Sequence, residues 1–211
     1  MRADVKRRPL TRERILTTAV AIADRDGLDA VTLRRLARKL GVHVTSLYNH
    51  IPTKNAVIDG IVDQLVAEAD FPSRVDSWEQ WIREFAAAMR ALARKHPGSF
   101  VALERRPVQG PEGAASFEAA LGAFRAAGFG VEDAYLAFKS TVLAVLGLCI
   151  EELLTAQEGE GPQTDLSLLP PSEFPHVYAT AAVADSADSW RFLIDALIAG
   201  FSAMGAGRTE V

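Results

Sequence analysis

Apolar residues recur at helical spacing along most of this chain, and no segment keeps the strict alternation of apolar and polar residues that is typical of a half-buried strand. We therefore predict an all-α fold. Three short helices are expected within residues 1–51, and longer helices follow. The longer helices are predicted at about 53–70, 76–98, 115–127, 131–154 and 187–204. The segment 157–175 contains four prolines and is predicted to be a long loop or disordered insert.

The first two short helices have recognisable ends. Thr11 can act as the N-cap of the first helix, over about 11–25, and Gly27 supplies its stop. Thr32 can cap the second helix, which ends at Gly41. The second helix is amphipathic, with Leu33, Leu36, Ala37 and Leu40 on its inner face and Arg34, Arg35, Arg38 and Lys39 on its outer face.

The third short helix, which stops near Pro52, is composed mainly of small and hydrogen-bonding residues. Leu47 and Ile51 are its two obvious inward anchors. Two short helices joined by a tight turn that contains glycine form a helix-turn-helix, whose second helix must fit the major groove of DNA, about 12 Å wide. The candidates for contact with base edges or phosphates in this helix are Val44, Thr45, Ser46, Tyr48, Asn49 and His50. Thr32, Arg34 and Lys54 flank the motif as candidate phosphate contacts.

Charge is distributed unevenly between the two ends of the chain. Residues 1–54, which we call the head, hold 12 Lys and Arg against 5 Asp and Glu, whereas the remaining residues hold 11 against 22. The net charge of −4 thus combines +7 in the head with −11 elsewhere. This asymmetry favours a polyanion as the partner of the head, although a basic patch is often no more than a solvated face.

Several candidate contact residues have a structural alternative. Thr32 and Thr53 are expected to be helix caps first, and a capped amide terminus can still hold a phosphate. Tyr48 could instead pack between helices. His43 and His50 could be ordinary surface histidines, and we expect no metal site.

No N-terminal apolar run resembles a signal sequence, and no stretch reaches the roughly 18 apolar residues of a membrane helix. The apolar run at 140–150 is interpreted as a buried bundle helix. Cys149 is the single cysteine, so an intramolecular disulfide is excluded. We therefore expect a cytoplasmic protein with no membrane partner.

From about Thr11 to Leu65 the chain resembles the DNA-binding domain of the tetracycline-repressor family of bacterial transcriptional regulators. The residues that carry the resemblance are VTLRRLARKLGVHVTSLYNHIPTKNAVID. It implies a homodimer that places two recognition helices in successive major grooves of a palindromic double-stranded operator. Carried over position by position, the expected DNA-contacting residues are Thr32, Arg34, Val44, Thr45, Ser46, Tyr48, Asn49, His50 and Lys54.

The remaining chain is also similar to tetracycline-binding members of this family, in SWEQWIREFAAAMRALARKHPG, RRP at 105–107, AAGFGVEDAYLAF and LGLCIEELL. The resemblance implies a DNA-binding domain at 1–54, a linking helix at about 53–70, and a helical ligand-binding and dimerisation domain at 71–211. The residues expected around the ligand cavity are Phe85, Met89, Phe100, Leu103, Phe117, Leu121, Phe124 and Phe138, with Arg105, Gln109 and Thr141 as polar contacts.

Three positions depart from, or only partly match, the tetracycline-binding members. Ala102 stands where they have a histidine that ligates the drug-bound magnesium, and Asp70 stands where a histidine grips the drug. Glu151 keeps an acidic position near the metal's water shell, but one carboxylate is not a metal site. We therefore expect magnesium-tetracycline to fail as an inducer.

The resemblance also implies that the last two long helices pair with their copies in a four-helix bundle. Their apolar faces exceed what the core of one subunit requires. These faces comprise Leu143, Leu146 and Ile150 together with Phe192, Leu193, Leu197 and Phe201.

These observations favour a repressor that a small-molecule inducer releases from DNA. The alternative is a small-molecule-binding protein without DNA regulation, or an enzyme, with a basic helical head. For catalysis we would require a nucleophile with a base, a pair of carboxylates or a metal cluster, and the sequence indicates none. His96 is expected to cap a helix end, and no cofactor is predicted. A constitutive architectural DNA binder would not need the large apolar body.

Overall fold

The computed structural model describes residues 9–105, 110–158, 169–180 and 188–206. Helices make up nearly all regular structure in these ranges, which contain no strand, so the all-α prediction is confirmed. A 3-10 turn at Leu28–Ala30 follows the first helix. The α-helices are α1 (Arg12–Asp26), α2 (Leu33–Leu40), α3 (Val44–Tyr48), α4 (Lys54–Glu68), α5 (Trp78–Lys95), α6 (Ala102–Arg105), α7 (Pro111–Ala126), α8 (Val131–Glu158), α9 (Pro175–Thr180) and α10 (Ser189–Ala206).

Three threonines cap α1, α2 and α4, as predicted. The Oγ1 atoms of Thr11 and Thr32 accept from backbone N–H groups three residues on at 3.2 Å, and Thr53 does the same at 3.0 Å. Gly41 ends α2 in the left-handed region, with φ of 69°, where a side chain is disfavoured. The turn that joins α2 to α3 therefore depends on this glycine.

Several boundaries differ from the prediction for physical reasons. α7 begins at Pro111, not near 115, because proline is well suited to the first turn of a helix, where its missing N–H costs nothing. α6 and α9 have four and six residues, too few to show a helical period. The predicted loop at 157–175 was too long, because α8 continues to Glu158 and α9 begins at Pro175. Residues 159–168 of that loop lie outside the described residues.

The chain divides into two compact units. The first unit comprises Met1–Arg74 and Ala87–Ala119, and the second comprises Val75–Ala86 and Ala120–Val211. In the first unit, α1 packs against α2 and α4, and α6 packs against α4. Its most deeply buried large side chains include Ile15, Leu36, Leu47, Ile61 and Leu65.

Aromatic side chains form much of the core of the second unit. Trp78 stacks on Phe124 with ring centroids 5.2 Å apart, and Phe129 and Phe201 meet the same two rings edge-on. Trp81 stacks on Phe85 at 4.8 Å. These contacts tie the start of α5 to α7, to the turn that follows α7, and to α10 within this unit.

α8 is long and apolar enough to cross a membrane by length and composition alone. Its stretch Val131–Ala156 has a mean hydropathy of 1.6, so the expectation that no such stretch exists is wrong on this criterion. A core helix of a soluble protein satisfies the same criterion. Val145 and Cys149 are buried on one side of α8, as a packed bundle helix requires.

The faces predicted to pair in a dimer differ in exposure. On α8, Leu143 is 58% exposed, and on α10, Phe192 is 78% exposed. Phe201 instead packs on Trp78 and Phe124 of its own chain. The other predicted face residues, which are half-buried, are Leu146, Ile150, Leu193 and Leu197.

Candidate nucleic-acid interface and ligand-contact residues

The helix-turn-helix is held from inside by two apolar anchors. Leu47 and Ile51 are almost completely buried, as predicted from their spacing. The N–H of Ile51 donates to the carbonyl oxygen of Leu47 at 2.8 Å, which extends the turn beyond α3. Because α3 has only five residues, it cannot be stable as an isolated helix, and these anchors fix it on the head.

The opposite side of α3 faces outward. Tyr48 is 51% exposed, which excludes the alternative that its ring is packed between helices within this chain. Of the nine predicted DNA-contact residues, Val44 and Ser46 are half-buried. The exposed ones are Thr32, Arg34, Thr45, Tyr48, Asn49, His50 and Lys54. This set presents hydroxyl, amide, imidazole and cationic groups, which can bond to base edges and phosphates.

The basic side of α2 is not uniform. Arg34, Arg38 and Lys39 are exposed, but Arg35 is half-buried and its guanidinium bonds to Asp26 of α1. The pKa of Asp26 is lowered chiefly because Arg25 also donates to its carboxylate. Placing Arg35 on the outer face was therefore wrong, because its charge is used to join α2 to α1.

Thr32, at the start of α2, is an N-cap whose side chain bonds to the backbone. The Oγ1 atom of Thr32 accepts from the N–H of Arg35 at 3.2 Å, as the structural alternative expected. Its own hydroxyl hydrogen can still be donated to a phosphate. Lys54, the first residue of α4, is exposed. The pKa of Asp29 is lowered chiefly by the hydrogen bond and the charge of Arg105, and to a smaller extent by the charge of Lys54.

Five of the predicted ligand-contact residues belong to the first unit. Met89 and Phe100 are buried, and Leu103 and Phe117 are half-buried. Arg105 is exposed and donates to the carboxylate of Asp29 at 2.9 Å. This bond holds the pKa of Asp29 below its ordinary value.

The other predicted ligand-contact residues in the described ranges belong to the second unit. Phe85 and Phe138 both contact Trp81, with ring centroids 4.8 and 5.4 Å from it. Thr141, one turn after Phe138, is buried and donates to the carbonyl oxygen of Ala137 at 2.8 Å. Leu121 is half-buried and Phe124 is buried. Gln109 lies outside the described residues.

Two tryptophans that the sequence interpretation left out stand at the centre of these aromatic groups. Trp78 and Trp81 are both buried, and their spacing of three residues places them on one face of α5. A buried indole normally finds a hydrogen-bond partner and supplies a large flat surface. The pattern WEQW at the start of an amphipathic helix was the signal that could have identified them.

The three positions compared above with tetracycline-binding relatives differ in burial. Ala102 is completely buried and begins α6, whereas Asp70 and Glu151 are exposed. Within the described ranges, no three or more His, Cys, Asp and Glu side chains are grouped as metal ligands would be. A methyl group at 102 offers no lone pair to a metal ion.

Comparison with known proteins identifies the family. Residues 15–61 match the model described as "Bacterial regulatory proteins, tetR family", and residues 71–204 match "Tetracyclin repressor-like, C-terminal domain". The chain is 34% identical over 160 residues to an HTH-type transcriptional regulator of Saccharopolyspora erythraea, covering 75% of this chain and 68% of that protein. It is 30% identical over 200 residues to the class D tetracycline repressor protein of Escherichia coli, covering 91% and 89%.

A solved structure agrees with these sequence matches. The TetR family protein ActR of Streptomyces coelicolor, in complex with actinorhodin, superposes with a TM-score of 0.79 and 26% identity, covering 94% of this chain and 99% of that one. Both the head and the apolar helices after it are therefore accounted for by one family. The chain belongs to the TetR family of DNA-binding transcriptional regulators.

Proposed function

We propose that this TetR-family regulator is a cytoplasmic repressor, a homodimer that a small-molecule inducer releases from a palindromic operator. The observation that carries the proposal is the two-sided third helix of the head. Leu47 and Ile51 anchor it, while Thr45, Tyr48 and Asn49 face outward. A helix exposed in this way can enter the major groove without losing its packing.

Within this proposal the exposed residues divide into two roles. Thr45 and Asn49 carry hydrogen-bonding groups on α3 and its C-terminal end, and they are assigned to base edges. Arg34 and Lys54 carry positive charge at the first turns of α2 and α4, and they are assigned to phosphates. Base contacts determine which sequence is bound, whereas phosphate contacts strengthen binding to any duplex.

The exposed apolar faces of α8 and α10 support the homodimer. Leu136, Leu143 and Leu154 are each about half exposed, and their spacing of 7 and 11 residues places them on one face of α8. On α10, Phe192 is followed by small exposed residues at helical spacing, namely Ala196, Ala199 and Ala203. Large exposed apolar patches mark interaction sites, and a second copy of the same two helices would cover them.

The proposed inducer is a flat, mainly apolar molecule with aromatic character. Phe85, Phe138 and Trp81 supply stacking surfaces, and Thr141 supplies a buried hydroxyl with acceptor capacity left over. The structural relative ActR was solved in complex with actinorhodin, which supports ligand binding in this part of the family. Because Ala102 cannot ligate a metal, we expect magnesium-tetracycline to bind weakly or not at all.

Within this proposal, residues 1–54 bind DNA, and residues 71–211 bind the ligand and form the dimer. The helix α4, Lys54–Glu68, lies between these segments in the chain. An inducer can release DNA only if it binds better to the form of the dimer that fits the operator poorly. Operator and inducer must then weaken each other's binding by the same factor. No cofactor or catalytic residue enters this mechanism.

The test is to separate the two roles on one operator. A duplex is first selected from a random library with the wild-type protein, and binding is then measured on it and on a scrambled duplex. Asn49→Ala should lose about 1–3 kcal/mol of discrimination between the two duplexes for each half-site. Lys54→Ala should weaken both about equally and reduce the salt slope by about two, one for each subunit of the dimer. Glu118→Ala, at an exposed position of α7, is the matched control and should change neither.

Equal losses on selected and scrambled duplexes for Asn49→Ala and Lys54→Ala would contradict the assigned roles. Failure of the wild-type protein to enrich any sequence would contradict the proposed function itself.

A further inference from the structure

His96 stands just beyond the C-terminus of α5 and contacts carboxylates on two other helices. Its Nδ1 lies 2.8 Å from Oδ2 of Asp24, on α1, and its Nε2 lies 3.2 Å from Oε2 of Glu68, on α4. The ring is only 12% exposed. All of these residues belong to the first compact unit.

The second carboxylate oxygen of Asp24 is used as well. Its Oδ1 accepts from the backbone N–H of Ser99 at 2.9 Å and from the Ser99 hydroxyl at 2.6 Å. Asp24 therefore makes three polar contacts with the turn between α5 and α6, residues 96–101, and two of them are hydrogen bonds donated by Ser99. Such a carboxylate fixes α1 of the head to that turn.

The backbones meet at the same place. A Cβ atom on Gly98 would collide with the carbonyl oxygen of Ala23 on α1, so a glycine is required for this approach. The N–H of Phe100 donates to the carbonyl oxygen of His96 at 2.8 Å, and the N–H of Leu103 donates to that of Phe100 at 3.0 Å. The turn that contacts α1 thus leads directly to Phe100 and Leu103, which are proposed to contact the inducer.

Protonation of the ring decides how many of these contacts are attractive. A neutral imidazole donates from one nitrogen and accepts at the other, whereas an imidazolium donates from both. With carboxylates at both nitrogens, the charged ring satisfies Asp24 and Glu68, and the neutral ring turns a lone pair toward one of them. Lys95 also pairs with Glu68, and its hydrogen bond and that of His96 lower the pKa of Glu68. That carboxylate is therefore ionised near neutral pH.

We propose that protonated His96 is a clasp that joins α1 of the head to the end of α4 and to the α5–α6 turn, and so holds the head in the orientation that a palindromic operator requires. The proposal rests on the proposed function. A dimer gains its affinity for a full palindrome by presenting two heads at a fixed separation of about 34–36 Å. A head that is held loosely pays an ordering cost on binding. His96 is in this sense a positioning residue that does not touch DNA.

The experiment compares a full palindrome with a duplex that keeps one half-site and scrambles the other. A half-site needs one head, so the ratio of the two affinities reports how well the second head is positioned, and the His96 variants share every residue of the head with the wild-type protein. For the wild-type protein we expect the ratio to fall about threefold to tenfold between about pH 6 and about pH 8, the range in which histidine side chains lose their proton.

Three variants isolate the ring. His96→Arg keeps a permanent charge with several donors and should hold the ratio high at both pH values. His96→Gln has no charge and should show the low ratio at both. His176→Gln, at an exposed position of α9, should behave as the wild-type protein. A wild-type ratio that does not change with pH, or a His96→Gln ratio equal to that of the wild-type protein near pH 6, would overturn the proposal.

Thermal unfolding of the full chain tests the clasp without DNA. Only the imidazolium donates to both carboxylates, so the proposed clasp has both of its hydrogen bonds at the acid end of the range. The unfolding temperature of the wild-type protein should follow that of His96→Arg near pH 6 and approach that of His96→Gln near pH 8, a change of about 2–4 °C. If the unfolding temperatures of the three proteins change with pH in parallel, the clasp is overturned, whether or not an operator is enriched. If no duplex is enriched from the library, the proposed function is contradicted.

Discussion

Apolar side chains are buried in the head, whereas several remain exposed on the last two long helices, α8 and α10. In the head, Ile15, Leu36 and Leu47 are completely buried, and the outward positions are polar or basic. On α8 and α10, Leu143 and Phe192 remain 58% and 78% exposed. The head buries its apolar side chains within itself and against α4, and its exposed surface is suited to a polyanion. The exposed faces of α8 and α10 leave apolar area in water, which only another apolar surface can remove.

The largest expected effect tests whether the head owes its stability to its own core. Leu47→Ala removes a fully buried side chain and should lower the free energy of unfolding by about 2–5 kcal/mol, measured by urea titration. Tyr48→Ala, at the neighbouring exposed position, should change it by less than about 0.5 kcal/mol. Similar losses for both variants would mean that α3 is not anchored as described.

The next effect concerns the apolar face of α8. Leu143→Glu places a carboxylate where a second copy is proposed to pack, and should weaken dimer formation by about 2–4 kcal/mol. Light scattering should then give a mass near 22.8 kDa, against about twice that value for the wild-type protein. Ala114→Glu, an exposed position on α7, should leave the mass unchanged. A monomeric wild-type protein would contradict the proposal that a second copy covers the apolar face of α8.

A smaller effect is expected where α1 meets the α5–α6 turn. Gly98→Ala introduces a methyl group against the carbonyl oxygen of Ala23, and the required shift should cost about 1–3 kcal/mol of stability. Gly122→Ala makes the same change on α7, where the new Cβ meets no atom within 4 Å, and should stabilise the chain by about 0.5–1 kcal/mol. Both free energies follow from urea unfolding. Equal values would show that the close approach at Gly98 is not required.

The smallest effect is an acid-side pH dependence at Glu68. Hydrogen bonds from Lys95 and then His96 lower its pKa from the ordinary value of 4.5. Its stabilising contribution is therefore present above about pH 4.5 and is lost as the pH falls through the lowered value. Glu68→Gln should flatten that part of the stability curve by less than about 1 kcal/mol, because the site is partly exposed. Superimposable acid limbs for the two proteins would exclude this contribution.

Much of the fold followed from local rules. Thr11, Thr32 and Thr53 were predictable as caps because an N-cap hydroxyl needs only the backbone three residues on. Leu47 and Ile51 were predictable as anchors because their spacing is helical. Short α6 and α9 were missed because four to six residues cannot display a period.

The missed details of the site depend on partners distant in sequence. His96 lies 72 residues from Asp24, so nothing near either residue indicates their contact. Arg35 fitted the basic pattern of α2, yet its position on the helix brings it to Asp26 of α1. Charge patterns predict which surface is basic, but they do not predict which cation is already paired.

Selection of duplexes from a random library with the wild-type protein shows whether a dimer of this chain recognises DNA through the exposed side of α3. Recognition by such a dimer predicts an enriched inverted repeat whose two half-sites are centred about one helical turn, 34–36 Å, apart, and loss of its discrimination in Asn49→Ala. Enrichment of a single unrepeated site, or no enrichment above the random library, would contradict it.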